Sequence, residues 1–347
     1  MRKFFITFSI LVVLAIGSWM IYQRWLGLHP TKKRLPVMTH AHVHLKWLHQ
    51  SQFAGIYTAQ EKGFYKERNI DLNIAKGGPG SPSIAAVLSG EADFGVAGAD
   101  DVLVEVSKGE PIKAIAVIYR KSPVVYFAFK DTGIKKPEDF VGRKVGIREG
   151  TGTYYTYLAM LSNLGIDRSK IIEVKTTPDL KPFIEGRVDV WPGFRINEPK
   201  IVERETGRDL EFIKPEDYGV DIYADVLFTR ADLIQKNPDL VSAFVEATIE
   251  GWEYALQEKN FSEVVSYVMK YALGENIDTT IGHQVYMLRE SVPLIKPTAD
   301  TRMGKMYYED WKRTYEVLRR FGLISKDIEV RQAFTEEFVG NYRVIPN

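Results

Sequence analysis

Residues 47–57, WLHQSQFAGIY, gather a Trp, a His, two Gln, a Phe and a Tyr into one short stretch, directly before a helix-like run. A core strand favours Val and Ile, and a surface loop favours Asp, Ser and Gly, so neither accounts for the mixture. Flat faces beside amide groups suit a planar polar ring. Three other segments carry polar groups of the same kind. AGADD (97–101) places Asp100 and Asp101 after a strand-like run, where either one can also cap the next helix. GTGTYYTY (150–157) sets Thr151, Thr153 and Tyr154 at a helix start, suited to an anion or a carbonyl oxygen or serving only as ordinary N-capping. WPGFRINEP (191–199) carries Gly193, Asn197 and Glu198; the carboxylate can accept from an exocyclic amine or a ring N–H, or make a surface ion pair. Tyr119, at the end of the strand-like KAIAVIYR, completes the candidates.

Other chemistries find less material. The chain of 347 residues has no Cys, which excludes disulfides, thiolate metal sites, a Cys nucleophile and lipidation through Cys. Five of the six His precede residue 50, three of them at period two in HAHVH (40–44), which puts them on one face of an extended segment. That spacing occurs in zinc sites, but no paired carboxylate lies nearby, and a solvated or partly buried strand edge is the expectation, with no metal and no cofactor. A balance of 46 Lys plus Arg against 45 Asp plus Glu gives +1, which argues against nucleic acid as a partner.

These candidates need a scaffold. At 45% hydrophobic and 26% charged, the composition is that of a globular protein with room for two lobes. Strand-like and helical stretches alternate from about residue 42, which predicts an α/β architecture. One punctuation recurs: AVLSGEADFGVAG (86–98) and PFIEGRVDVWPG (182–193) each end an apolar helix at Gly and enter a strand about three residues on, with Asp. Gly90 and Gly186 can take the left-handed conformation that closes a helix, which suggests two similar lobes. Ligands of open α/β sheets bind at the carboxyl ends of strands, so AGADD and WPGFRINEP are expected on a common cleft. From about residue 228 the pattern is more helical, and its Met and aromatic stripes read as packing faces.

The N-terminus reads differently. Phe4–Gln23 is a run of twenty uncharged residues after Arg2 and Lys3, long enough in a helix to cross a bilayer. Ala15-Ile16-Gly17 loosely fits a signal-peptide cleavage site, but the apolar run continues through Trp19 and Tyr22, so an uncleaved anchor over 1–24 is expected. Residues 25–40 then form a linker and 41–347 the folded domain, on the extracytoplasmic side of the cell membrane, or in the periplasm after cleavage.

HLKWLHQSQFAGIYTAQEKGFYKERNIDLNIAKGG, VLSGEADFGVAG and DTGIKKPEDFVGRKVGIREGTGTYYTYLAMLSNLGID together resemble type II periplasmic solute-binding proteins of ABC importers. More narrowly, the first of these is similar to the branch that binds thiamine pyrimidine precursors and riboflavin. PEDFVGRKVG is shared with sulfonate- and nitrate-binding relatives. The resemblance implies a two-lobed type II periplasmic binding protein fold, lobe one at about 41–126 plus 224–347 and lobe two at about 127–223. The lobes are expected to close on a small molecule without turning it over, with an ABC permease and ATPase as partners. On that reading Trp47, Phe53 and Tyr57 stack on or wall a heteroaromatic ring, and Gln50 and Gln52 satisfy its edge. Asp100, Tyr119, Thr151, Tyr154, Gly193, Asn197 and Glu198 complete the expected site. A sulfonate or nitrate ligand is the alternative, disfavoured because Arg148 and Arg195 are the only nearby Arg pair. A pyrimidine-forming enzyme of this fold carries a Cys-rich motif that this chain lacks. A membrane-bound sensory module is the remaining alternative, and it would need a signalling domain from a partner.

Overall fold

The alternation in THAHVH makes strand β1 (Thr39–His44), which buries Ala41 and Val43 and turns His40 and His42 outward. His40 pairs with Asp71 at 2.7 Å, and His42 Nδ1 lies 3.2 Å from the Asn73 amide on the neighbouring strand. This is a solvated strand face; among the described residues no group of three His, Asp or Glu is placed to hold a metal ion. The structure, a computed structural model, describes residues 34–78, 81–220, 222–274 and 280–339. The expected anchor over 1–24 lies outside them, and among the described residues no helix is long and apolar enough to cross a membrane. The expected linker of 25–40 is too long at its C-terminal end. Leu35 is buried, its N–H donates to the Arg68 carbonyl at 3.1 Å, and β1 already starts at Thr39.

Among the described residues nine further strands follow: β2 (Ile70–Ala75), β3 (Phe94–Ala97), β4 (Ile112–Val117), β5 (Val124–Phe129), β6 (Lys144–Ile147), β7 (Ile172–Lys175), β8 (Trp191–Phe194), β9 (Leu210–Ile213) and β10 (Val226–Arg230). They form a five-stranded sheet in the order β2-β1-β3-β10-β4, a three-stranded sheet β8-β5-β9 and a pair β6-β7. β1 pairs parallel with β2 and β3, whereas β10 returns from late in the chain and inserts antiparallel between β3 and β4. A parallel bridge Val145↔Val190 links the β6-β7 pair to β8. Helices bury apolar faces on both sheet systems, and the fold is α/β throughout.

The repeated glycine–aspartate punctuation has a physical explanation. Gly90 and Gly186 sit at φ +82° and +71°, closing the helices Ser83–Ser89 and Lys181–Ile184. The aspartate that follows then clips the strand entry to a neighbouring strand. Asp93 Oδ2 accepts from the His42 N–H at 2.9 Å, and Asp189 Oδ2 accepts from the Lys144 N–H at 2.8 Å. Each aspartate also donates its own N–H to the carbonyl of that same residue. The strands proper begin slightly later than the sequence suggests, at Phe94 and Trp191.

A close helix–helix contact helps hold the 47–57 stretch. Gln50 is extended, Ser51–Phe53 form a 3-10 turn, and helix Ala54–Glu61 follows directly. That helix lies against Pro238–Ala255 so closely that a Cβ on Gly55 would come 2.2 Å from the Trp252 ring, and one on Gly251 would come 2.1 Å from the Gly55 carbonyl. Only glycine permits this approach. It fixes the position of the turn that carries Gln50 and Gln52.

Candidate functional site

A cavity of about 230 Å³ opens between the two sheet systems. The segment after β1 supplies Lys46, Trp47, Gln50 and Gln52, and the first turn of the helix after β3, Ala99–Lys108, supplies Asp100 and Asp101. From the other side come Arg148, Thr151, Glu198 and the β8 end at Phe194 and Asn197. These segments follow the carboxyl ends of their strands, the usual ligand location in α/β sheets. Because β10 runs antiparallel, its N-terminal approach, Ile222–Ala224, reaches the same edge.

A buried polar chain organises the first wall. Gln50 Nε2 donates to Gln52 Oε1 at 2.7 Å, and Gln52 Nε2 donates to Asp225 Oδ2 at 2.7 Å. The other oxygen of Asp225 takes Lys46 Nζ at 3.1 Å. Burial pulls the Lys46 ammonium down, but Asp225, then Asp101 and Asp100, outweigh it and raise its pKa above the ordinary lysine value. Lys46 therefore stays charged, and its Nζ also lies 5.7 Å from the centre of the Phe194 ring across the cavity.

Asp100 is 3% exposed, and its Oδ2 has no hydrogen-bond partner among the described residues. Burial and then neighbouring Asp101 push its carboxyl up to about 7, with Lys46 opposing. Burial also raises Asp101, although the Gly98 N–H donates to its Oδ2 at 3.2 Å. On the facing wall, Thr151 Oγ donates to the Arg148 carbonyl at 2.6 Å and lies 2.8 Å from Thr153 Oγ. The Arg148 guanidinium donates to the Pro192 carbonyl. Glu198 is fixed by one oxygen, Oε2, which accepts from the Phe194 N–H at 2.9 Å.

Beside the cavity, helix Ile281–Ile295 ties the two sides together. His283 Nε2 lies 2.9 Å from Asn197 Oδ1, and Tyr286 Oη donates to the Arg195 carbonyl at 3.0 Å. Burial, then Arg204 and Lys200, lower His283 to about 4, so at neutral pH the ring is uncharged and its Nε2–H donates to Asn197. The same helix holds the glutamine turn, since Gln284 Oε1 accepts from the Ser51 N–H at 2.7 Å.

Of the residues expected from sequence, Trp47, Gln50, Gln52, Asp100, Thr151, Asn197 and Glu198 line this cavity. The other five do not. Phe53 is a core residue, and Tyr57 stacks on Tyr271 at 4.6 Å and bonds His49 at 2.9 Å. Tyr119 is fully buried against Trp252, with its hydroxyl 2.7 Å from Ser291 Oγ. Tyr154 turns outward to Arg168, and Gly193 packs behind the wall on Phe127 and Glu198. Lys46, Ser122, Phe194, Tyr223 and the supporting Asp225 were not singled out from sequence. Lys46 and Phe194 stand at strand ends and were legible by that rule; Asp225 had no local signal.

The chain has relatives along most of its length. Residues 50–260 match the family described as NMT1/THI5 like. The riboflavin-binding protein RibY of Chloroflexus aurantiacus is 27% identical over 333 residues, covering 90% of each chain. The formylaminopyrimidine-binding protein of Halalkalibacterium halodurans is 25% identical over 218 residues, covering 62% of this chain and 66% of that one. Proteins named as pyrimidine phosphate synthases match as well. Among solved structures, the periplasmic nitrate-binding protein NrtA of Synechocystis superposes with a TM-score of 0.69 at 12% identity, covering 88% of each chain. That likeness establishes the periplasmic binding protein fold.

Proposed function

The chain belongs to the NMT1/THI5-like family, and from that premise we propose that it is the extracytoplasmic substrate-binding component of an ABC importer. Its ligand is a flat nitrogen heterocycle, a flavin or a thiamine-type aminopyrimidine, captured without turnover. The observation that carries this reading is the make-up of the cavity: the Trp47 ring beside the Gln50–Gln52 amides on one wall, and the Glu198 carboxyl on the other. An aromatic face and an edge of amide and carboxylate acceptors match a ring that carries N–H donors. The volume of about 230 Å³ lies below the roughly 300–1,000 Å³ of pockets for drug-sized ligands, which favours a compact ring system.

In this reading residues 35–126 with 224–347 act as one lobe and 127–223 as the other, closing by hinge motion. Residues 1–24 hold the protein at the membrane, where it delivers its ligand to a permease and ATPase. The relatives named as binding proteins support this; those named as synthases make turnover the point to test. Native mass spectrometry of the protein purified without refolding identifies any co-purified ligand. Calorimetry with riboflavin, an aminopyrimidine and taurine then ranks the classes, and chromatography of the recovered ligand checks that it is unchanged. Binding of taurine with failure of both heterocycles refutes the ligand class; conversion of the ligand refutes the absence of turnover.

A further inference from the structure

The Asp100 carboxylate keeps one buried oxygen without a hydrogen-bond partner among the described residues, and two glycines, one on each side, make room for it. A Cβ on Gly98 would lie 2.1 Å from Asp100 Oδ1, and one on Gly152, across the cavity, would lie 2.7 Å from Oδ2. Neither glycine has a positive φ, so close approach is what each position requires. Gly152 opens the helix Gly152–Asn163, with Thr151 as its N-cap. The first N–H groups of a helix have no intrahelical acceptor, and the helix dipole places partial positive charge there. Arg148, Thr151 and Thr153 line the same cavity. The helix start and the Arg148 guanidinium, whose Nε has no hydrogen-bond partner among the described residues, have the chemistry of an oxoanion site.

In this chain a side chain already stands there. Asp100 Oδ2 is buried, lacks a hydrogen-bond partner and is directed at the helix start from the opposite wall. We infer that Asp100 is a built-in anion in the corner where an anionic solute would seat, and that it determines selectivity by excluding sulfonates, sulfate and phosphate while leaving an acceptor for a ligand N–H. The inference rests on the heterocycle reading for its second half only. The exclusion of anions stands on the geometry of Asp100, Gly98 and Gly152.

The test compares the full-length protein with Asp100→Asn, which keeps the shape and removes the charge, and Asp100→Ala, which removes both. Each is titrated by calorimetry with sulfate, inorganic phosphate and taurine at about pH 8, above the value to which burial raises Asp100, and near-UV circular dichroism checks the fold. The expected result is no detectable anion binding by the wild type and at least about a tenfold gain in affinity for one of the anions in both variants, a change equivalent to about 1.4 kcal/mol. Anion binding by the wild type overturns the inference, as does unchanged anion affinity in the variants. A gain in Asp100→Ala alone also overturns it, because cavity space rather than charge would then be responsible. Riboflavin and an aminopyrimidine are titrated on the same samples. If the wild type binds neither, the heterocycle reading fails while the anion comparison still decides the role of Asp100.

Discussion

Replacing Asp225 by Asn should unsettle both the fold and the cavity. Asp225 is 1% exposed, and its two carboxylate oxygens receive Lys46 Nζ at 3.1 Å and Gln52 Nε2 at 2.7 Å. Its backbone carbonyl takes the N–H groups of Ile118 and Tyr119, which the substitution leaves in place. An amide has one oxygen for these two donors, and its NH2 must then face either the ammonium or the glutamine amide. Removing one partner of a buried ion pair costs about 3–5 kcal/mol. The Lys46 side chain is 21% exposed and keeps Asp100 and Asp101 nearby, so the cost should fall just below that range, at about 2–3 kcal/mol. At roughly 2–4 °C per kcal/mol for a domain of this order of size, the melting temperature should fall by about 4–12 °C. Urea denaturation of the wild type, Asp225→Asn, Lys46→Met and the double variant closes a double-mutant cycle. A cost below about 0.5 kcal/mol, or a coupling energy near zero, would refute the idea that this pair anchors the glutamine turn.

Three further outcomes are expected. Gly251→Ala should destabilise the protein by about 1–3 kcal/mol in chemical denaturation, because its Cβ would meet the Gly55 carbonyl at 2.1 Å; an unchanged midpoint would mean the helices part at no cost. Trp47→Ala should weaken heterocycle binding by about 1–3 kcal/mol, roughly 5- to 150-fold in calorimetry, from lost burial and ring geometry. Asp100 has a folded-state pKa raised to about 7 by burial and Asp101, against Lys46, so its contribution to stability is present below the ordinary carboxylate pKa and is lost as pH rises toward and through 7. Asp101, Lys46, Asp225 and Tyr155 surround the site and are unchanged in Asp100→Asn. The variant should therefore gain in melting temperature relative to wild type between about pH 5 and pH 8; a difference that does not vary with pH refutes the assignment.

The sequence carried the parts of this fold that depend on local backbone chemistry. Gly90 and Gly186 were readable because a left-handed residue closing a helix requires glycine, and the aspartates after them were readable as strand entries. Their clip to His42 and Lys144 was not, since it joins segments distant in the chain. The cavity was legible wherever a segment follows a strand's carboxyl end, as with Trp47, Asp100, Asn197 and Glu198. Side-chain direction within residues 47–57 was not legible. An extended residue, a 3-10 turn and a helix follow one another there, so no single period governs which side faces the cavity. That is why Gln50 and Gln52 reach it while Phe53 and Tyr57 turn into the core. Asp225 stands 173 residues from Gln52, a pairing that no local pattern encodes.

The insertion of β10 also sets an order of assembly. β3 and β4 lie on either side of β10 in the first sheet, so until residue 230 has been made each presents an unpaired edge. The strands β5 to β9, which lie between β4 and β10 in the chain, need nothing from later in the chain to complete their pairing. During synthesis the second unit is therefore able to form while the first remains an incomplete sheet, with edges open to wrong partners. Closing that sheet is a long-range step of the kind that slows folding. The last strand to arrive also brings Asp225, so the polar chain that aligns Gln50, Gln52 and Lys46 forms only when β10 docks.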